Sequence, residues 1–168
     1  MFVPFESLSP DARIWIFQSD RPLTADEKSL ADERLQEFTN EWAVHGNPFN
    51  TSYTIQHHHF IILAADESNQ NASGCSIDSS VRVLKELEQQ LGINLFDRNL
   101  IAFWADARVK LIPMQELKQK FASGILNEQS LAFNNLVATR GDLERTWLLP
   151  VGETWLRRYV LNPLAKAK

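Results

Sequence analysis

The sequence feature that most constrains the fold is an unbroken apolar run at residues 60–65, Phe-Ile-Ile-Leu-Ala-Ala. A strand that is apolar at every position is typical of a central strand covered on both faces, because an exposed face would show alternating polar residues. Asp66 and Glu67 follow the run at once, so the strand delivers two carboxylates into a loop. Alternate side chains of a strand share a face, and we expect one such set to lie in the core: Ile61, Leu63 and Ala65.

Comparable patterns predict the other elements. Thr24 and Glu27 form a capping box, which predicts the start of a first helix, and apolar residues at helical spacing continue that helix until Gly46 stops it. A second, amphipathic helix is predicted from about Ser76 to Gly92. Further strands are predicted at residues 13–17, 51–56, 100–104 and 109–112, with a hairpin turn at 105–108 and shorter helices at 113–122 and 150–159.

The order of these elements predicts an α+β fold. Strand, helix, strand, strand, helix, strand is the split βαβ order of ferredoxin-like folds, and it predicts a single-layer, mostly antiparallel sheet with helices. The extra hairpin strand at 109–112 exceeds what that fold contains, so a different α+β sandwich is the alternative. A chain of 168 residues has the length of one domain. Residues 125–168, with C-terminal helices, are a candidate extension that packs on it.

Charge and cysteine content argue against several classes of protein. The net charge of −4 and the pI near 5.6 argue against a protein that coats duplex nucleic acid with a basic face, although a local basic patch stays open. The single cysteine excludes an internal disulfide and fits a reducing compartment. We find no signal-peptide pattern and no run of about 18 apolar residues. We therefore expect a cytoplasmic protein without a cofactor, which binds neither nucleic acid nor a membrane; its oligomeric state stays open.

The junction between the apolar strand and the second helix is the candidate site. Ligands often bind in the crevice where strands end and helices begin, and the loop at 68–74, Ser-Asn-Gln-Asn-Ala-Ser-Gly, is rich in hydrogen-bond donors and short side chains. Such a loop lets backbone amides approach a ligand, although plain surface turns have the same composition. The candidate ligand-binding residues are Asp66, Glu67, Ser73, Gly74, Ser76 and Asp78.

Cys75, the only cysteine, is the candidate catalytic residue. Unpaired N–H groups at a helix start stabilise a thiolate and lower its pKa, whereas the nearby carboxylates would raise it. The alternative is a small, partly buried cysteine beside a helix cap. Two functions therefore stay open. One is a module that binds a small ligand or a protein partner at residues 66–78, and the other is a cysteine-dependent enzyme or redox protein that uses Cys75.

Two further clusters carry side-chain groups that bind ligands in other proteins. His57, His58 and His59 precede the apolar strand, at the opposite end from Asp66. On a strand only two of the imidazoles would share a face, and at a hairpin turn all three would be solvated, so we expect no metal site. The second of these clusters, Trp155 with Arg157 and Arg158, is suited to bind a phosphate, a carboxylate or another protein, but arginines are also common on exposed helices. The ligand or partner is left open.

The motifs of several nucleotide and hydrolase enzymes are missing from the sequence. The chain has no G-x-x-x-x-G-K-[ST], no G-x-G-x-x-G and no G-x-S-x-G. Without the first motif, no glycine-rich loop with its lysine can cradle the phosphates of a nucleotide. We therefore expect that the protein is not a P-loop ATPase.

Three segments carry a resemblance to a known family: Ala-Ser-Gly-Cys-Ser-Ile-Asp-Ser-Ser-Val at 72–81, Trp-Ile-Phe-Gln-Ser-Asp-Arg-Pro-Leu-Thr at 15–24, and Phe-Asn-Asn-Leu-Val at 133–137. The chain resembles small, uncharacterised bacterial proteins of about this length, which are often labelled automatically as ABC transporter ATPases. The resemblance covers nearly the whole chain and is most specific in the first segment. It implies a shared fold and no particular activity. The missing Walker A motif and Leu-Ser-Gly-Gly-Gln signature contradict the transporter label for this chain.

Overall fold

The computed structural model of the protein describes residues 1–44, 47–66 and 74–161. By its contacts the chain divides into two compact units. The first unit comprises Met1–Phe96 with Leu136–Glu144, and the second unit comprises Asp97–Asn135 with Arg145–Lys168. The prediction of one domain with residues 125–168 as an extension stays a prediction.

Helices and antiparallel sheets make up the described residues, so the fold is α+β, as the sequence predicts. Short 3-10 turns occur at Phe5–Ser7, Met114–Glu116 and Val151–Glu153. In chain order the elements are β1 (Arg13–Gln18), α1 (Ala25–Glu41), β2 (Ala43–Val44), β3 (Asn47–Pro48), β4 (Thr51–Gln56), β5 (Phe60–Ala65), α2 (Gly74–Leu91), β6 (Leu100–Ala105), β7 (Arg108–Pro113), α3 (Leu117–Ala122), β8 (Leu131–Phe133), α4 (Arg140–Thr146), β9 (Leu148–Pro150) and α5 (Arg157–Leu161).

The apolar run forms the central strand of the first unit. β5 pairs antiparallel with β1 on one side and with β4 on the other, and all of its residues are fully buried. The predicted face of Ile61, Leu63 and Ala65 belongs to the main hydrophobic cluster of this unit. That cluster also contains residues of α1 and α2, so the two helices cover this face of the sheet. The sequence-based prediction of a buried central strand is confirmed.

The strand order only partly resembles the predicted one. β1 and β4 are both antiparallel to β5, so they run parallel to each other with β5 between them and α1 in the connection. That is a split βαβ arrangement, but β6 pairs within a separate four-stranded sheet in the order β7-β6-β8-β9. A different segment meets the outer edge of β1, where Ile14 N–H donates to Ala138 O at 2.9 Å and Arg13 forms a bridge with Thr139. The single-layer, ferredoxin-like order over six elements is therefore not confirmed.

Local interactions explain where α1 begins and how its end is held. The predicted capping box is present: Glu27 N–H donates to Thr24 Oγ1 at 3.1 Å, and Thr24 N–H donates to Glu27 Oε1 at 2.9 Å. At the other end, the buried Thr51 hydroxyl of β4 donates to the carbonyl oxygen of Thr39. The last carbonyls of a helix have no partner within it. The strand therefore supplies a hydrogen bond that α1 cannot make for itself.

The second unit is built on the β6–β7 hairpin that the sequence predicts. Asp106 and Ala107 form its two-residue turn with φ of 56° and 58°, as in a type I′ turn. β8 and β9 extend the sheet, and they were not predicted because each has only three residues. The buried cluster of this unit lies between the sheet and the short helices: Phe103, Leu117, Phe121, Leu126, Ala132, Val151 and Leu156. Among the described residues, no helix is both long and apolar enough to cross a membrane.

Candidate functional site

Asp66 is the site residue that the strand itself positions. It follows the last residue of β5, where Ala65 is opposite Arg13 on one neighbouring strand and Thr51 on the other. Its backbone N–H donates to Asn50 O at 2.8 Å, and its side chain is partly buried. A strand that is paired on both sides and fully buried moves little. The backbone of Asp66 is therefore held at a fixed place at the end of the sheet.

The second helix begins two residues earlier than predicted. α2 starts at Gly74, so the backbones of Cys75 and Ser76 lie in its first turn, where N–H groups have no partner within the helix. Asp78 follows them on the helix with an exposed side chain. The remaining predicted site residues, Glu67 and Ser73, lie outside the described residues.

α2 is anchored by packing rather than by its ends. Its buried residues Val83, Leu84, Leu87 and Leu91 belong to the same cluster as one face of β5. Ser80 is also buried, and its hydroxyl donates to Ile77 O at 2.6 Å. The described part of the site is therefore the fixed end of β5 at Asp66 and a well-packed helix that presents the exposed Asp78 near its start.

The three histidines form the turn between β4 and β5. His57 and His58 have φ of 54° and 61°, and His59 N–H donates to Gln56 O at 3.1 Å. The hairpin-turn interpretation is therefore right, but full solvation of all three is wrong, because His59 is only 6% exposed. The backbone explains why: Ser19 N–H donates to His59 O at 2.7 Å, and Leu23 N–H donates to His58 O at 2.8 Å. The loop after β1 thus holds the turn.

Burial sets the protonation of two of these imidazoles. It lowers the pKa of His57 and of His59, and repulsion from the neighbouring imidazoles lowers both further. A hydrogen bond between His59 Nδ1 and His57 O, at 3.2 Å, opposes the shift of the His59 pKa. Within residues 1–44, 47–66 and 74–161 no three His, Cys, Asp or Glu side chains are grouped to hold a metal ion. The turn lies at the opposite end of β5 from Asp66.

The loop after β1 holds an ion pair between Arg21 and Glu27. Arg21 donates to Glu27 Oε1 at 2.8 Å, to Glu27 Oε2 at 2.6 Å and to Leu91 O at 2.7 Å. The guanidinium hydrogen bond holds the pKa of the Glu27 carboxyl at about 2, with help from the backbone N–H of Thr24. Glu27 therefore serves both the capping box and Arg21. The pair joins the start of α1 to the end of α2, which makes it a structural element.

In the second unit, Tyr159 joins the predicted cluster of Trp155, Arg157 and Arg158. Arg158 lies over two rings, with its Cζ 5.5 Å from the Trp155 centroid and 5.1 Å from the Tyr159 centroid. Those two rings meet edge to face with centroids 6.3 Å apart. Tyr159 was not singled out in the sequence. In the predicted helix 150–159 its spacing of four residues from Trp155 would have been the signal, but the structure begins α5 only at Arg157, so Trp155 lies in the turn before that helix.

Comparison with known proteins assigns no family. No family model matches the chain, and neither the curated proteins nor the solved structures contain a match to it.

Proposed function

We propose that the protein is a small module that binds a ligand or a protein partner at the strand-to-helix junction, residues 66–78. The observation that carries this proposal is the position of Asp66 at the end of a strand that is buried and paired on both sides. A carboxylate on a rigid element costs less conformational entropy when it binds a ligand than one on a mobile loop. The same junction leads into α2, whose first turn starts at Gly74.

The two sides of this junction favour different ligand groups. The Asp66 and Asp78 carboxylates accept hydrogen bonds from ammonium or guanidinium groups. The N–H groups in the first turn of α2, which have no partner within the helix, favour an anion instead. A polar ligand that carries both kinds of group, such as an amino acid or a short peptide, suits the junction best. P-loop chemistry is not part of the proposal, because the sequence lacks the loop that cradles the nucleotide.

A cysteine-dependent reaction is the second candidate function. The observation that favours it is that Cys75 is the second residue of an 18-residue helix. In general, the positive end of a helix dipole stabilises a thiolate and lowers the pKa of a thiol, so a helix start is a place where reactive cysteines occur. A cytoplasmic location is part of both proposals, because a chain with one cysteine suits a reducing compartment.

The binding proposal is tested by an NMR titration of the labelled full-length protein. Amino acids and short peptides are added, and binders should shift the amide signals of residues 66–80. The Asp66→Asn variant should weaken that binding about tenfold, as expected for the loss of a charged hydrogen bond. Glu33→Gln is the matched control, since Glu33 is an exposed carboxylate on α1. The proposal is wrong if every binder shifts other amides only, or if both variants bind equally well.

The thiol is tested separately through its alkylation by iodoacetamide between pH 5 and 10. A rate that rises through an inflection below the ~8.5 of a free cysteine supports the second candidate, and Cys75→Ser is the control. An inert thiol, or an inflection above about 9, removes the enzymatic proposal and leaves the binding proposal standing.

A further inference from the structure

The two units carry charges of opposite sign, which the net charge of −4 conceals. The first unit has seven Lys and Arg against 16 Asp and Glu, which gives −9. The second unit has ten Lys and Arg against five Asp and Glu, which gives +5. A small unit with such an excess of positive charge attracts anionic partners. The second unit is therefore where a local basic patch, which the composition left open, is expected.

A large aromatic side chain is exposed in this basic unit. Trp155 is 44% exposed, and the Arg158 guanidinium packs over its ring and over the ring of Tyr159. Arg157 is exposed as well. Tryptophan, tyrosine and arginine are the residues that most often dominate the binding energy of protein interfaces. We call Trp155, Arg157, Arg158 and Tyr159 the aromatic–arginine surface.

Buried neighbours hold this surface in place. Leu156, next to Trp155, is almost fully buried in the core of the second unit. Tyr159 stacks on Phe121 of α3 with ring centroids 5.5 Å apart and planes inclined by 12°. The Thr154 hydroxyl donates to Val151 O at 2.9 Å and accepts from Leu156 N–H at 3.2 Å. A preordered surface loses little entropy on binding.

Several cations of this unit have no ion-pair partner among the described residues. Among the described residues, Arg157 of α5 and Lys118 and Lys120 of α3 form no ion pair. α3 and α5 pack together through Phe121 and Tyr159. Acidic residues are fewer: Glu153 is the one between positions 151 and 161, and the Glu128 side chain lies against Gly152. An anionic partner would therefore meet cations whose charge is still available.

We propose that the aromatic–arginine surface docks an acidic segment of a partner protein. The exposed Arg157 guanidinium can donate its N–H groups to carboxylates in the forked geometry that arginine offers, and Arg158, packed over the two rings, adds positive charge beside it. An apolar side chain beside those carboxylates would pack against the exposed part of Trp155. A nucleobase would instead have to displace Arg158 from the rings to stack on them.

The test measures the fluorescence polarisation of labelled probes with the full-length protein. The probes are a fluorescein-labelled peptide that alternates glutamate with leucine, the same peptide with glutamine for glutamate, and single-stranded oligothymidylate. We expect the glutamate peptide to bind best, and its binding to be lost at about 1 M salt, where the Debye length is about 3 Å. No binding of the glutamate peptide, equal binding of the glutamine peptide, or tighter binding of the oligothymidylate would overturn the proposal.

Variants locate the binding on the surface. The Trp155→Ala variant and the double variant Arg157→Gln,Arg158→Gln should each weaken the binding of the glutamate peptide about tenfold or more, as the loss of hot-spot residues does. Arg98→Gln,Arg108→Gln is the matched control for the double variant, because it removes two exposed arginines of the same unit outside this surface. An equal loss in the control would mean that net charge alone binds the peptide, and the proposal would be wrong. The fluorescein caps the N-terminal ammonium of the peptide, so Asp66→Asn should leave its binding unchanged, which separates this result from the proposed site at 66–78.

Discussion

Replacing Leu63 with alanine tests the core of the first unit most directly. Leu63 is fully buried in the middle of β5, opposite Trp15 on one neighbouring strand and Tyr53 on the other. The substitution removes three carbon groups, each worth ~0.8 kcal/mol of transfer free energy, or roughly 2.4 kcal/mol in all. A cavity that stays open adds to this loss, and Leu→Ala changes in cores cost about 2–5 kcal/mol.

The neighbours of Leu63 decide where in that range the loss falls. The Tyr53 hydroxyl donates to Asp32 O at 3.0 Å, and the ring of Trp15 packs on Trp42 at 5.7 Å. Because both large side chains are held from the far side, neither can move easily into the vacated space. We therefore expect a loss of about 3–4 kcal/mol in the free energy of unfolding of Leu63→Ala.

Urea unfolding followed by circular dichroism measures this loss, and hydrogen exchange of the β5 amides assigns it to the first unit. Leu30→Ala is the control, because Leu30 is 43% exposed on α1 and its truncation should change stability by no more than about 0.5 kcal/mol. A loss below about 1 kcal/mol for Leu63→Ala would show that β5 is peripheral, and the interpretation of the fold would fail.

Three further predictions concern backbone strain, hydrogen bonding and pH. Ala107→Gly should stabilise the protein by about 0.5–1 kcal/mol in urea melts, because Ala107 has φ of +58°, whereas Gly124→Ala should destabilise it, since Gly124 has φ of +81°. Ser52→Ala should be neutral or stabilising, because the buried Ser52 hydroxyl has no hydrogen-bond partner among the described residues; Thr51→Val, which loses the bond to the end of α1, should cost about 1–3 kcal/mol. Because the pKa of His59 is lowered in the folded protein, the unfolded chain binds more protons than the folded chain at pH values between the two pKa values. The free energy of unfolding should therefore fall as pH drops below about 6.5, and it should level off below the folded-state pKa. His59→Gln should flatten that slope in melts between pH 5 and 7, and an unchanged slope would assign it to other groups.

The sequence predicts the parts of the fold that depend on local pattern. β5 is recognisable because six consecutive apolar residues need cover on both faces, and α1 because Thr24 and Glu27 can cap only a helix start. The segment that pairs with the outer edge of β1 could not be predicted in this way. Ala138 and Thr139 meet β1 from more than a hundred positions along the chain, and no local pattern encodes such a pairing.

The candidate site shows the same limit at the level of side chains. The sequence places Asp66 on a strand end and Cys75 at a helix start, and the backbone agrees with both. The histidine turn was ambiguous because it lacks the glycine or asparagine that usually supplies positive φ. His57 and His58 take that conformation while Ser19 and Leu23 bind the backbone of the turn. That tertiary constraint overrides the local preference.

The opposite net charges of the two units limit what each proposed site can bind. The junction at residues 66–78 belongs to a unit of net charge −9, so a purely anionic ligand that suits the first turn of α2 would be repelled at long range. A ligand with an added ammonium group would gain from that field and from the Asp66 carboxylate together. The aromatic–arginine surface belongs to a unit of +5 and selects the opposite sign. Beyond about 8 Å these fields are screened at physiological salt, so low salt should sharpen the difference between the two sites without changing the side chains that each one uses.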